Sequence, residues 1–525
     1  MLQEQAIARR DVDPTTLYPA YNLSVPIDHF HNESRYEPHA NDTFNLRYWF
    51  DASHYTSGGP VIVLQSGEDP GDDRLVYLQK GILAQMAQAT HGIGVVLEHR
   101  YYGTSFPVPD LSTENLRFLT TQQALADEAY FAQNVVFEGF EDVDLTAPNV
   151  AYIGYGGSYA GGFNAFLRVL YPDIFWGTIA SSGVVEAIYD YWEYYEPVRV
   201  YGPPDCISNT QKLINVVDNI LIGLNYSNTT TELKTLFGLQ NVTYDDDFAD
   251  VLGSGIGGWQ GLNWDPADND PSFTYYCDNL TSPTVLYPST TSLSSLADSI
   301  LALGGYGSES ATLLTPLLNY VGYINLTSVT PCAASGSTQD ECFSEHNATY
   351  YAQDDLSQQT WRSWSYQVCT EWGYLQTGSG VPASQLPLIS RTQTLEYESL
   401  VCRLAFNIST PPDTGLINAY GGFNISADRL AFLDGEHDPW RPATVHAYPF
   451  NTTAPTSFAD TAERPAWLIP GAVHHWDENG LFANETVPGL LPPPPVADAQ
   501  AFEVQWVLEW MEEWAEHVPA RRDRA

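Results

Sequence analysis

Val150-Ala151-Tyr152-Ile153-Gly154-Tyr155-Gly156-Gly157-Ser158-Tyr159-Ala160-Gly161-Gly162 is the stretch on which the reading of this 525-residue chain turns. Its first part, Val150 to Gly154, is a short apolar run of strand type, and Phe163 to Leu170 behind it reads as a helix. A strand that turns sharply into a helix needs small residues around the turn, because a nucleophile held at a strained backbone angle leaves no space for neighbouring Cβ atoms. Ser158 stands at that apex. Ala160 stands where the G-x-S-x-G pattern has its second glycine, so the string needs support from the rest of the chain.

Working outward, further short apolar runs lie at Asn45 to Phe50, Pro60 to Gln65, Gly94 to Glu98 and Thr178 to Ser181, with a helical stretch at Leu119 to Phe137. Strands alternating with helices predict an α/β fold: a mainly parallel, doubly wound sheet with both faces covered. The same signal returns at Arg429 to Asp434 and Ala466 to Ile469. Between them, Pro204 to Ala427 is rich in Ser, Thr, Asn and aromatics and holds all six cysteines. With helical pieces such as Gln211 to Leu224, it reads as a large, mostly helical, disulfide-stapled cap inserted between late strands. The expected division is therefore 1–203 and 428–525 for the two parts of the sheet domain and 204–427 for the cap. After Leu491-Pro492-Pro493-Pro494-Pro495, read as a rigid spacer, Phe502, Trp506, Trp510 and Trp514 recur every four residues, which predicts a helix packed on the sheet.

Composition narrows the class. With 44% apolar, 13% aromatic and 16% charged residues, disorder, collagen and coiled coil are excluded. Lys and Arg number 21 against 64 Asp and Glu, a formal net charge of -43 that repels phosphate, so no nucleic-acid partner is expected. Such self-repulsion lessens where carboxylates are partly protonated, which fits either work in acid or simple solubility. No run approaches the roughly 18 apolar residues of a membrane span, and no membrane association is expected.

Met1 to Gln5 has no apolar core of a signal peptide, so any secretory signal is expected to have been removed; Arg9-Arg10 reads either as a dibasic processing site or as two surface arginines. Thirteen N-x-S/T sequons, at Asn22, Asn32, Asn41, Asn225, Asn228, Asn241, Asn279, Asn325, Asn347, Asn407, Asn424, Asn451 and Asn484, predict N-linked glycans. The cysteine positions suggest the local pairs Cys206 with Cys277, Cys332 with Cys342, and Cys369 with Cys402, as in an oxidising compartment. The expected location is secreted, or an acidic lysosome-like or vacuole-like compartment. No C-x-x-C pair occurs, so neither a zinc site nor a dithiol centre is supported, and no cofactor or metal is expected.

A serine hydroxyl is a poor nucleophile unless an imidazole accepts its proton and a carboxylate orients that imidazole. In hydrolases on such a sheet the chain order is Ser, then an acid after a later strand, then His after the last. Arg429 to Asp434 runs into Gly435-Glu436-His437-Asp438-Pro439-Trp440, and Ala466 to Ile469 into Pro470-Gly471-Ala472-Val473-His474-His475. Asp438 and His474 are the candidates, with Asp434, Glu436 and His475 as competitors that spacing does not exclude. An oxyanion hole needs two backbone N–H groups, for which Tyr159 and Gly67, in the loop Gln65-Ser66-Gly67-Glu68, are placed correctly. Glu68 reads as a carboxyl that positions a substrate amine, shares a proton with another acid, or merely caps the loop.

Five strings together, Gly156-Gly157-Ser158-Tyr159-x-Gly161, Leu97-Glu98-His99-Arg100-Tyr101-Tyr102-Gly103-x-Ser105, Leu119-Thr120-x-x-Gln123-Ala124-Leu125-Ala126-Asp127, Asp438-Pro439-Trp440 and Gly471-Ala472-x-His474, resemble the Pro-specific serine peptidases. That family includes lysosomal Pro-X carboxypeptidase, dipeptidyl peptidase II and the secreted fungal prolyl endopeptidases. The resemblance implies an α/β-hydrolase domain with a helical cap, the triad Ser158, Asp438 and His474, activity in acid, and cleavage after proline in proline-rich peptides or proteins. Alanine is the next small residue able to occupy such a pocket. Animal lysosomal members follow the paired histidines with an Asp and then an Arg, whereas Trp476-Asp477-Glu478-Asn479 has no Arg. This departure favours the fungal endopeptidase type, with a carboxypeptidase or dipeptidyl peptidase as alternatives. A carboxylesterase on the same fold is a further alternative, and a catalytically silent binding module would lack a triad member, which this chain does not.

A pocket for the apolar pyrrolidine ring should be walled by flat side chains. Trp440, two residues after Asp438, is the first candidate; Trp372 and Tyr374 are expected either to close the pocket from the cap or to be plain cap core. Acid operation poses a problem, since an ordinary imidazole is only about 1% neutral two pH units below its pKa of about 6.5. Burial of His474 beneath the cap is the expected remedy.

Overall fold

The computed structural model describes residues 13–461 and 463–522, with side chains described to residue 517. Arg9-Arg10 lies outside the described residues.

Val61, Ile62, Val63 and Leu64 are all fully buried, which a strand covered on one face only could not achieve. Alternation explains it: Val61 and Val63 share a core with Leu125 and Phe131 of the helix Thr121–Asn134 and Phe163 and Phe166 of the helix Tyr159–Leu170. Ile62 and Leu64 point the other way, into a core with Leu83 and Met86 of the helix Ile82–Thr90 and Val507 and Trp510 of the helix Pro494–Arg522.

The strands are β1 (Tyr21–Pro26), β2 (Thr43–Asp51), β3 (Val61–Gln65), β4 (Ile93–Leu97), β5 (Tyr152–Gly157), β6 (Gly177–Ser181), β7 (Ile188–Asp190), β8 (Gly373–Leu375), β9 (Leu430–Gly435) and β10 (Ala466–Ile469). Eight of them form one sheet in the order β1-β2-β4-β3-β5-β6-β9-β10, while β7 and β8 pair separately. β1 with β2 and β2 with β4 run antiparallel; every other pair in the large sheet is parallel. This is the mainly parallel α/β sheet expected from the strand and helix pattern, in the α/β-hydrolase architecture that the family resemblance implies. β5 runs on to Gly157, the residue before Ser158, instead of ending at Gly154. β1 carried no clear signal, since it is a half-exposed strand at the sheet edge that ends in proline.

Between β6 and β9 the chain is mostly helical. Leu213 and Val217 of the helix Pro204–Asp218 form a core of their own with Phe248, Leu252, Tyr276 and Tyr320, separate from either face of the sheet. Tyr366, Trp372, Tyr374 and Phe406, from the later part of the same stretch, instead join the core on the Val61 face. Three disulfides close the pairs Cys206–Cys277, Cys332–Cys342 and Cys369–Cys402, the expected connectivity. The proline run is not wholly a spacer: the last helix begins inside it, at Pro494, because proline is tolerated in a first helical turn. Along that helix Trp510 fills the space over Gly177, where an added Cβ would lie 2.5 Å from the indole ring.

Among the described residues no helix is long and apolar enough to cross a membrane. Nine sequon asparagines are exposed, and Asn279, Asn325 and Asn347 are half-buried. Asn451 departs from the expectation: it is only 7% exposed, and its Oδ1 accepts from the backbone N–H and hydroxyl of Thr453, so this sequon is a turn cap inside the fold.

Candidate active site

β5 delivers Ser158 at φ 61° and ψ −125°, a conformation that a side-chain-bearing residue adopts only when its surroundings enforce it. Its N–H donates to Ser181 O at the end of β6, 2.9 Å away. The small residues around it are required by close backbone approach. A Cβ at Gly156 would lie 2.4 Å from Ala160 O, at Gly161 2.6 Å from Ser181 O, and at Gly162 2.0 Å from Val184 O. The Ala160 methyl sits across from Gly67, where an added Cβ would lie 3.4 Å from it.

The acid and the base come from the ends of β9 and β10, neighbours in the parallel part of the sheet. Their two following loops touch backbone to backbone: His437 N–H donates to Ala472 O at 2.9 Å, and a Cβ at Gly435 would lie 1.9 Å from Val473 O. Asp438 and His474 meet there, with His474 Nδ1 2.9 and 3.0 Å from the two carboxylate oxygens, and both side chains are buried. Asp438 Oδ1 also accepts the Trp440 N–H at 2.8 Å, which fixes the carboxylate plane. The competitors are engaged elsewhere. Asp434 is hydrogen-bonded to His446 at 2.6 Å, and Glu436 accepts the Gly471 N–H at 3.0 Å.

Burial pushes the His474 pKa down; Asp438 pulls it up and the neighbouring His475 pushes it down again, leaving it below the ordinary value. His474 Nε2 is buried and has no hydrogen-bond partner among the described residues, so Ser158 Oγ is not bonded to it in this structure. The rings of His474 and His475 lie 4.4 Å apart. His475, 3.1 Å from Glu478, and Glu478 itself both lie within 3.4 Å of a Cβ position at Gly157, which places the paired histidines beside the nucleophile turn. Burial pushes His475 down, but Glu478 pulls harder and its pKa is raised; Glu478, pushed up by burial, is held low by His475 and Arg74.

Tyr159 opens its helix, so its N–H has no intrahelical acceptor. The loop after β3 does reach this point, but Gly67 is not a free donor: its N–H goes to Gln65 Oε1 at 3.1 Å, because Gln65 folds back over its own turn. The Tyr159 ring is held from behind. His99 Nδ1 faces Arg100 O at 2.7 Å and must carry the proton, so Nε2 accepts from the Tyr159 hydroxyl at 2.9 Å. Burial lowers the His99 pKa to about 4, which keeps the ring neutral into acid. Half-buried Glu68 follows Gly67; burial raises its carboxyl and Asp69 adds to this, while Arg74 and His475 oppose.

Trp440 lies beside the base, ring centroids 6.5 Å from His474. It stacks on Tyr191 at 5.5 Å and meets Tyr194 and Tyr374 edge-on at 5.3 and 5.1 Å. Its indole N–H donates to Gln260 of the cap at 2.8 Å, and the Tyr194 hydroxyl donates to the same oxygen at 2.9 Å. Trp372 does not reach this wall. It is fully buried, bonded to Thr121 and packed between Tyr159 and Phe166, so it supports Tyr159 rather than facing a ligand. Tyr191, Tyr194 and Gln260 were not foreseen; the dense aromatic run 189–195 was the available signal for the first two. A cleft of about 480 Å³ opens over the site, lined among others by His474, His475, Gln260, Tyr77, Arg74 and Asp265.

An elbow hydroxyl, a buried imidazole with a carboxylate on its far nitrogen, and an unpaired N–H at a helix start are the parts of acyl transfer. The model of the family described as serine carboxypeptidase S28 matches residues 25–276 and 314–486. The chain is 53% identical over 97% of its length, and 70% of the relative's, to a protein of Arthroderma benhamiae named a probable extracellular serine carboxypeptidase. It is 30% identical to the serine protease vicPa of Bipolaris victoriae, over 83% of this chain and 80% of that one. It is 27% identical to the human thymus-specific serine protease, over 77% and 74%. The chain thus belongs to the serine carboxypeptidase S28 family and is a serine peptidase.

Proposed function

We propose that the protein is a secreted exopeptidase that removes the residue following a proline at the carboxyl end of peptides. The observation that carries the proline preference is the wall of Trp440, Tyr191, Tyr194 and Tyr374 beside His474, flat apolar faces suited to a ring without an N–H. The family description and the name of the Arthroderma relative favour carboxypeptidase over endopeptidase action. Three disulfides and the same name favour secretion.

In this reading Ser158 Oγ attacks the carbonyl carbon of the proline as its proton passes to His474 Nε2, the nitrogen left unpaired by the Asp438 contact. The Tyr159 N–H faces the developing oxyanion. Collapse breaks the C–N bond, and His474 returns the proton to the departing amine. Water then repeats the sequence on the acyl-enzyme, restoring Ser158.

The test uses two peptides ending in Pro-Phe, one with a free carboxyl and one amidated, with products read by mass spectrometry. Loss of Phe from the free acid, at least about tenfold faster than from the amide, is expected. Equal cleavage of both, or cuts after internal prolines, would transfer the activity to the endopeptidase type. Hydrolysis of simple esters alone would make it a carboxylesterase.

His474 must be neutral to accept the serine proton, so activity rises with pH through its pKa, and lowering that pKa extends activity into acid. The acid limb of kcat/KM against pH is therefore expected to have its midpoint below 6.5. A midpoint at or above that value would mean that the Asp438 interaction outweighs burial.

A further inference from the structure

Beyond the catalytic cleft, two adjoining cavities of about 390 and 410 Å³ share Asp250, Glu345 and Glu398 in their linings. The first also reaches Gly257, which borders the catalytic cleft as well. Asp250 and Gly257 stand seven positions apart on the helix Asp245–Gly257, about 10 Å, the span of roughly three residues of extended peptide. We infer that this cap cavity is a subsite for a cationic group of the substrate, an alkylammonium or a guanidinium, carried a few residues from the scissile bond. The inference rests on the peptidase reading above.

Three carboxylic acids, Asp250, Glu345 and Glu398, lie in both linings, and neither lining holds a Lys or Arg. Among the described residues the carboxyls of Asp250 and Glu398 have no hydrogen-bond or ion-pair partner. Gln393, in the same lining, is only 2% exposed; its amide nitrogen donates to Asp246 O at 3.0 Å, while its Oε1 is left without a partner. Acceptors beside a cavity suit a ligand that brings N–H donors, of which an ammonium has three and a guanidinium five. Asp250 is exposed while Glu398 is half-buried; burial and the repulsion of Asp250 and Glu345 raise Glu398 to about 8, a strain that a bound cation relieves.

The aromatic lining points the same way. Trp361, Tyr350 and Tyr397 border the second cavity, and aromatic faces attract organic cations. A divalent metal would need oxygens gathered about one point, and neither Asp250 nor Glu398 belongs to such a cluster among the described residues.

The probes are acetylated peptides with the Pro-Phe end, carrying Lys or its uncharged counterpart norleucine at two, three or four positions before the proline. A second set leaves the N-terminus free, which separates an amine terminus from a side chain as the source of charge. The reading is the ratio of kcat/KM for the Lys and norleucine peptides within each protein. A ratio of at least about tenfold, confined to one position, is expected, the worth of one charge-assisted contact. In Asp250→Asn and Glu398→Gln the ratio should fall toward one. A ratio near one at every position in the wild type overturns the subsite, as does a preference that is equal at all positions and survives both substitutions, since that is the effect of net charge alone. The wild-type position scan stands even if a variant fails to fold. Failure of every peptide to be cleaved would instead count against the peptidase specificity, with the subsite then overturned by unchanged binding of Lys and norleucine peptides to Ser158→Ala.

Discussion

Ser158→Ala is expected to lower kcat/KM by about 10⁵- to 10⁶-fold while leaving the thermal midpoint almost unchanged. The reasons are local. Ser158 already holds φ 61° with a Cβ in place, so alanine adds no strain, and the bond from its N–H to Ser181 O is a backbone one. What disappears is the only atom of the residue that can enter chemistry. Two other serines stand close by, and both are committed: Ser181 Oγ donates to Asp477 at 2.6 Å, and Ser182 Oγ accepts the His475 N–H at 2.9 Å. Single-turnover measurement with a Pro-Phe peptide decides the matter. Residual activity above about one part in a thousand would require a nucleophile other than Ser158.

Asp438→Asn should cost about 10⁴-fold in kcat, with KM little changed. Asparagine fits the space, and its oxygen can go on accepting the Trp440 N–H, so the loop is kept. The amide NH₂ then faces His474 Nδ1, which turns that nitrogen into an acceptor and moves the ring proton to Nε2, where a base is needed. The pH profile carries the discriminating sign. Asp438 pulls the His474 pKa up, so its removal should shift the acid limb of the remaining activity further into acid. A loss of rate with the limb unmoved would mean that the substitution acts through collapse of the loop instead.

The sheet was legible because parallel strands buried on both faces leave apolar runs, as in Val61 to Leu64, that stand out in any window. The pairing of Asp438 with His474 was legible for a different reason: both follow strand ends, so strand positions alone place them at one edge of the sheet. Spacing could not reject Asp434 or Glu436, because what disqualifies them is a partner far away in the chain or across a loop, His446 and the Gly471 N–H. Gly67 was misjudged on similar grounds. Its position beside the nucleophile turn follows from topology, but the occupation of its N–H depends on a Gln65 rotamer that no pattern reveals. Trp372 illustrates the limit of composition arguments, since an aromatic that walls a pocket and one that backs the wall read alike in linear text.

The Trp440 indole and the Tyr194 hydroxyl both lean on a single cap amide, Gln260 Oε1, whereas the contact of Asp438 with His474 is made wholly within loops of the sheet. In the proposed reading the wall that selects proline therefore hangs on the cap through Gln260, whereas the acid loop meets the cap only beside the contact, where Trp259 Nε1 donates to His437 O. Warming or a proteolytic nick that loosens the cap should blunt discrimination between substrates first, leaving for a time a promiscuous hydrolase whose chemistry still runs.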